Sequence, residues 1–183
     1  MTFIPGWNQR PQIVPPPSKI DKIFEAVALI GILLAIIIII IGAVILPNII
    51  PTHYKITGGV DTYGSKWGIF LVFLIPMLFI YGLITFVNKY PSKFNYATMV
   101  TPENALRLYS SACTSLRLMK VLMVWLFLIL EWFTVIVLSN NPGLTGLSWL
   151  SWIIMLVFFA VIAVSIIYAV KNQIREGKPK NVK

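Results

Sequence analysis

The sequence predicts an all-α integral membrane protein: four transmembrane helices, cytoplasmic termini and one structured extracytoplasmic loop at about residues 47–66. Three observations carry this. Apolar residues make up 58% of the chain and charged residues only 11%, with a mean hydropathy of +0.85, whereas a soluble domain carries roughly a quarter charged residues. Four apolar runs are each long enough, at about 20 residues, to cross the hydrocarbon core of a bilayer. The basic residues flank these runs instead of forming a stripe on a folded surface. The net charge of +9 therefore anchors and orients helices, and nucleic acid is set aside as a partner.

Taken in order, residues 1–18 contain Pro5, Pro11 and the run Pro15 to Pro17, a spacing that breaks helix and favours an extended tail. Ile4, Trp7 and Ile13 suit the headgroup level or a docking partner. The first apolar run is too long and too far along the chain for a signal peptide. Residues 19–183 read as one membrane domain with helices at about 22–46, 67–88, 101–138 and 147–171. Ser18 suits an N-cap, with Asp21 at the positive end of the helix. Ala26 to Leu46 is free of charge and spans roughly 31 Å. Pro47 ends it.

The second helix, from Trp67, contains Pro76, which is expected to kink it, and Gly68 and Gly82, which suit close helix contact. Trp67 and Tyr90 are placed as interfacial anchors. Asn88 to Val100 is a polar-aromatic connector. Thr101-Pro102-Glu103 then reads as N-cap, first-position proline and first-turn acid. The helix it starts runs through Arg107, Arg117 and Lys120 to Leu138, roughly 55 Å, so its first turns are expected in water or along the surface. Asn140-Asn141-Pro142-Gly143 is a tight turn, Trp149 and Trp152 open the fourth helix, and the tail from Lys171 is basic, with disorder expected beyond Gly177. The lone cysteine, Cys113, excludes an internal disulfide and reads as a small buried side chain.

Of the 15 Lys and Arg, only Lys55 and Lys66 lie in the loop after the first helix, and none lies in the loop after the third. The positive-inside rule then puts both termini in the cytoplasm and His53 outside.

The loop from Leu46 to Lys66 is longer and richer in backbone-shaping residues than a connector requires. Pro47 and Pro51 restrict the residues before them, and Gly58-Gly59 marks a turn between two short extended stretches. Candidate ligand-binding residues are Pro47, Pro51, His53, Tyr54, Gly59, Asp61, Gly64, Ser65 and Lys66. His53 and Asp61 are also candidate metal ligands or proton-exchanging groups, although a two-residue set eight positions apart matches no metal motif. Glu131 is an acid in the middle of an apolar helix with no basic residue at its depth. It is read either as a proton or cation site or as a neutral carboxyl hydrogen-bonded to Ser165, Tyr81, Thr85 or a backbone carbonyl. No Ser-His-Asp set, phosphate-binding glycine loop or zinc motif is present, so no catalytic residue and no cofactor is predicted.

Leu46-Pro47, Ile50-Pro51, His53-Tyr54, Gly59, Asp61 and Gly64-Ser65-Lys66, followed by Pro76, Tyr90-Pro91, Lys93-Phe94-Asn95-Tyr96, Thr101 and Glu103-Asn104, form a pattern that resembles the SdpI-like membrane family, built on domain of unknown function 1648. The resemblance covers roughly Glu25 to Lys120 and does not extend to the carboxy-terminal membrane domain of the family's namesake. It implies a bacterial or archaeal cell membrane. The namesake is an immunity protein that protects its producer from a secreted toxin and sequesters a repressor at the membrane.

The leading expectation is therefore a non-enzymatic, multi-pass membrane protein whose outer loop senses or neutralises an extracellular peptide or envelope ligand. One alternative is a small membrane enzyme or metal-dependent protein using His53, Asp61 and Glu131 in a common cavity. Another is an accessory subunit of a membrane transport complex. The expected partners are the bilayer and a membrane or extracellular protein or peptide, and an oligomer is left open.

Overall fold

A computed structural model describes residues 10–55, 60–140 and 148–178. Its elements are α1 (Lys19–Ile45), β1 (Ile49–Tyr54), β2 (Val60–Ser65), α2 (Lys66–Val87), a short 3-10 turn (Pro91–Lys93), α3 (Ala105–Asn140) and α4 (Ser148–Gly177). All four helices are long and apolar enough to cross a membrane. The expectations for Ile4 and Trp7, for the Gly58-Gly59 turn and Gly59 itself, for Asn141-Pro142-Gly143 and for residues beyond 178 fall outside the described residues.

Each helix starts or stops for a local reason. Ser18 caps α1 in a reciprocal box: its hydroxyl accepts from the Asp21 amide at 3.2 Å, and the Asp21 carboxylate accepts from the Ser18 amide at 2.8 Å, so two otherwise orphaned donors are satisfied. At the other end Leu46 is already extended, as the residue before Pro47 must be. Ser65 caps α2, its hydroxyl accepting from the Trp67 amide at 3.3 Å. The start of α3 differs from the expected Thr101 to Glu103. Those residues form a turn in which the Thr101 amide is taken by the Asn104 side chain at 2.8 Å and the Thr101 carbonyl receives both Asn104 and Ala105. Regular helix therefore begins at Ala105. At the far end α4 continues to Gly177, six residues past the expected limit at about 171.

α3 is the hub, packing against α1, α2 and α4. One face of it, Val124, Leu128, Glu131, Val135 and Leu138, is buried at alternating spacings of four and three, the spacing that keeps residues on one helical stripe. Val124 and Leu128 pack with Ala28, Ile32, Ala35 and Met77; Val135 and Leu138 pack with Leu46, Ile50 and Phe70. The close approach of α1 to its neighbours rests on Gly31 and Gly42. A Cβ on Gly31 would lie 2.7 Å from Val124 Cγ1, and one on Gly42 would lie 2.7 Å from the Phe70 ring. Gly68 and Gly82, expected in that role, face open space. α2 passes through Pro76 as one helix.

The first turns of α3, expected in water or along the surface, are covered on one face and open at Leu106. Ala105, Leu108 and Tyr109 are buried with Val100, and Tyr96 stacks on Tyr109 at 5.4 Å. The tail, expected as solvated or interfacial, is tied down from Arg10: its guanidinium donates to the carbonyls of Ser92 at 3.2 Å and Phe94 at 2.7 Å and lies over the Tyr96 ring. Aromatic packing seats Tyr96 of the connector on α3, and these charge-assisted bonds tie the tail to that connector.

Candidate functional site

The Leu46–Lys66 stretch folds as an antiparallel hairpin between α1 and α2. Its register is irregular twice. Pro51 faces Tyr63 and His53 faces Thr62, leaving Thr52 as the extra residue on β1; Tyr54 faces Val60, leaving Asp61 as the extra residue on β2. Pro51 has no amide to give the ladder, so a bulge beside it is the expected accommodation. The two opposed offsets set His53 and Asp61 side by side. The His53 Nδ1–H donates to Asp61 Oδ1 at 2.6 Å, and the two side chains are 68% and 30% exposed. That hydrogen bond is the largest cause of a carboxyl held below its ordinary range at Asp61, because it favours the charged form.

Most of the other described motif residues hold the fold. Leu46 and Ile50 are buried in the apolar cluster at this end of the bundle, and Pro51, within β1, is buried too. Gly64 passes so near Thr52 that a Cβ would lie 2.9 Å from its methyl. Pro47 stops α1 and Ser65 starts α2. Lys66, a residue 6% exposed, has a role the sequence did not reveal: its ammonium donates to the carbonyls of Ala43 at 2.7 Å and Leu46 at 2.9 Å. It thereby closes the negative end of α1. The pattern Leu-Pro to Gly-Ser-Lys is thus a brace in which the lysine that opens α2 caps α1. His53 and Asp61 are left over, together with the exposed rings of Tyr63 and Trp67 and the side chain of Ile49.

Glu131 is not part of this site. The apolar cluster of Leu46, Ile50, Phe70, Val135 and Leu138 packs between it and the hairpin, and no contact brings Glu131 and His53 together among the described residues. His53 and Asp61 supply two metal ligands, and no group of three His, Cys, Asp or Glu side chains that could hold an ion occurs among the described residues.

A second polar assembly joins α1, α2 and α3. Lys120, fully buried, donates to both carboxylate oxygens of Glu25 at 2.7 and 2.6 Å and to Thr85 Oγ1 at 3.0 Å, and sits 4.4 Å over the Tyr81 ring. Arg117 reaches Asp21 at 3.2 Å and Glu25 at 3.4 Å, and Thr114 donates to Asp21 at 2.7 Å. The signal was available: two acids one turn apart at the start of α1 and two bases three apart on α3, all inside helices that cross the bilayer.

A family model described as a domain of unknown function, DUF1648, matches residues 30–80. This segment, much of α1, the hairpin and two thirds of α2, is similar to that family. No curated protein and no solved structure matches the chain.

Proposed function

We propose that the hairpin is a recognition surface on the outer side of the cell membrane, where it binds a peptide or envelope ligand in an immunity- or signalling-like role. The observation that carries this reading is the division of labour within the motif. Its glycine, serine, lysine and buried apolar residues brace two helices, while the His53–Asp61 pair is held in fixed geometry with its faces open. A brace needs no such pair, and a preorganised donor–acceptor set on a surface that also exposes Tyr63, Trp67 and Ile49 suits a recognition contact that combines polar and apolar groups. The asymmetry of Lys and Arg supports an outward hairpin and cytoplasmic termini. The pattern shared with the SdpI-like family supports the immunity-like reading.

The test is quantitative mass spectrometry of proteins and peptides co-purifying from native membranes in mild detergent, with His53→Ala/Asp61→Ala in parallel. A partner retained by the native protein and depleted about tenfold or more by the variant, at unchanged helicity, is the expected result. A partner set identical in the two preparations would overturn the reading.

A further inference from the structure

The other described acids in the helices are balanced. Asp21 and Glu25 face Arg117 and Lys120, and Glu176 pairs with Arg175. Glu131 has no such counterpart. It is 0% exposed, and neither of its carboxyl oxygens has a hydrogen-bond partner among the described residues. The three side chains expected to satisfy it are engaged elsewhere. The Tyr81 hydroxyl donates to Glu25 Oε2 at 3.4 Å, Thr85 donates to the Tyr81 carbonyl at 2.7 Å, and Ser165 donates to the Val161 carbonyl at 2.8 Å. The nearest cation along α3, Lys120, lies three turns away, roughly 16 Å along the axis, and is held by Glu25. From α2, Lys66 is held by the α1 carbonyls.

A buried polar group with every acceptor orphaned calls for something that completes it, and an ionised carboxylate in a hydrocarbon-walled interface does not persist without a positive charge beside it. The deficit here is one charge, in a setting that offers two oxygens between apolar clusters. A calcium-like divalent ion would overshoot that charge. We propose that Glu131 is an intramembrane binding site for a monovalent cation, a proton or an alkali-metal ion such as sodium, within the interface of α1, α2 and α3. The site is independent of the hairpin: it lies on the other side of the Leu46–Phe70–Leu138 cluster and shares no residue with it.

The test uses the full-length protein in lipid vesicles and dicyclohexylcarbodiimide, a membrane-permeant reagent that couples to a protonated carboxyl in apolar surroundings. Adducts are located by peptide mass spectrometry. Glu131 is expected to react in preference to Asp21 and Glu25, whose oxygens are occupied. In sodium-free buffer, labelling that falls about tenfold per pH unit beyond its midpoint and ignores added sodium assigns the proton. Labelling suppressed by sodium at constant pH assigns the alkali ion. Labelling absent from Glu131 in every condition, or indifferent to both pH and sodium, overturns the proposal. Glu131→Gln, neutral and nearly isosteric, is expected to keep native helicity and lose the adduct. An undiminished adduct yield from that variant would place the reactive carboxyl elsewhere and likewise overturn it.

Discussion

At Asp61 a single hydrogen bond ties hairpin geometry to pH. The His53 contact is the main cause of a folded-state carboxyl lowered from its ordinary 3.8. A carboxylate whose folded value is depressed contributes stability that is fully present above the unfolded value and is lost as pH falls through the lowered one. The protection of the β1 and β2 amides against hydrogen exchange, taken relative to the intrinsic rate at each pH, is therefore expected to be flat above about pH 4 and to fall below it. In Asp61→Asn that acid-dependent step should be missing, with exchange already faster at neutral pH. An Asp61→Asn hairpin that kept the native pH profile would show that the pair does not set its order. The exposure of both groups makes the effect local, on the hairpin and not on the bundle.

Among the elements, α1 depends most on residues remote from it in sequence. Its carboxy-terminal carbonyls have no intrahelical donor, and Pro47 prevents the chain from supplying one by continuing the helix. Lys66 fills that gap from the first position of α2. Lys66→Met keeps the stem and removes the ammonium. It is expected to destabilise the detergent-solubilised protein by about 2–3 kcal/mol, read as a lowered thermal unfolding midpoint by circular dichroism. The loss should be accompanied by looser hairpin exchange, because the same residue joins the α1 end to the first residue of α2. A midpoint unchanged within error would mean that the α1 carbonyls find other donors when the lysine is gone.

For the whole molecule the decisive feature is the charge cluster that joins α1, α2 and α3 near the end where α1 begins. Lys120→Met is expected to lower stability by about 3 kcal/mol, at the low end for a broken ion pair because Glu25 remains 32% exposed and keeps Arg117. Glu25→Gln/Lys120→Met should recover part of that loss, the part that comes from a carboxylate left with Arg117 alone. Additive losses in the double variant would mean that each partner is held by groups other than the other. The same comparison separates this cluster from Glu131, where no basic partner exists among the described residues to be removed.

Helix number, approximate spans, the Ser18 cap and the chain stop at Pro47 were legible in the chain because each rests on local chemistry: run length against bilayer thickness, side-chain oxygens against free amides, and proline against the residue before it. The loop sequence puts His53 and Asp61 within eight residues of each other, but their contact depends on two offsets in strand register that no short-range pattern encodes. The same holds for Gly31 and Gly42 over Gly68 and Gly82 as contact glycines, for the docking of Arg10 and Tyr96, and for the pairing of Glu25 with Lys120. Local sequence specifies where a helix can run and what ends it. Which of its faces meets a neighbour, and which polar groups meet there, follows from packing the apolar stripes of α1, α2 and α3 against one another. That packing gives Lys66 and Lys120 their partners and leaves the carboxyl of Glu131 with none among the described residues.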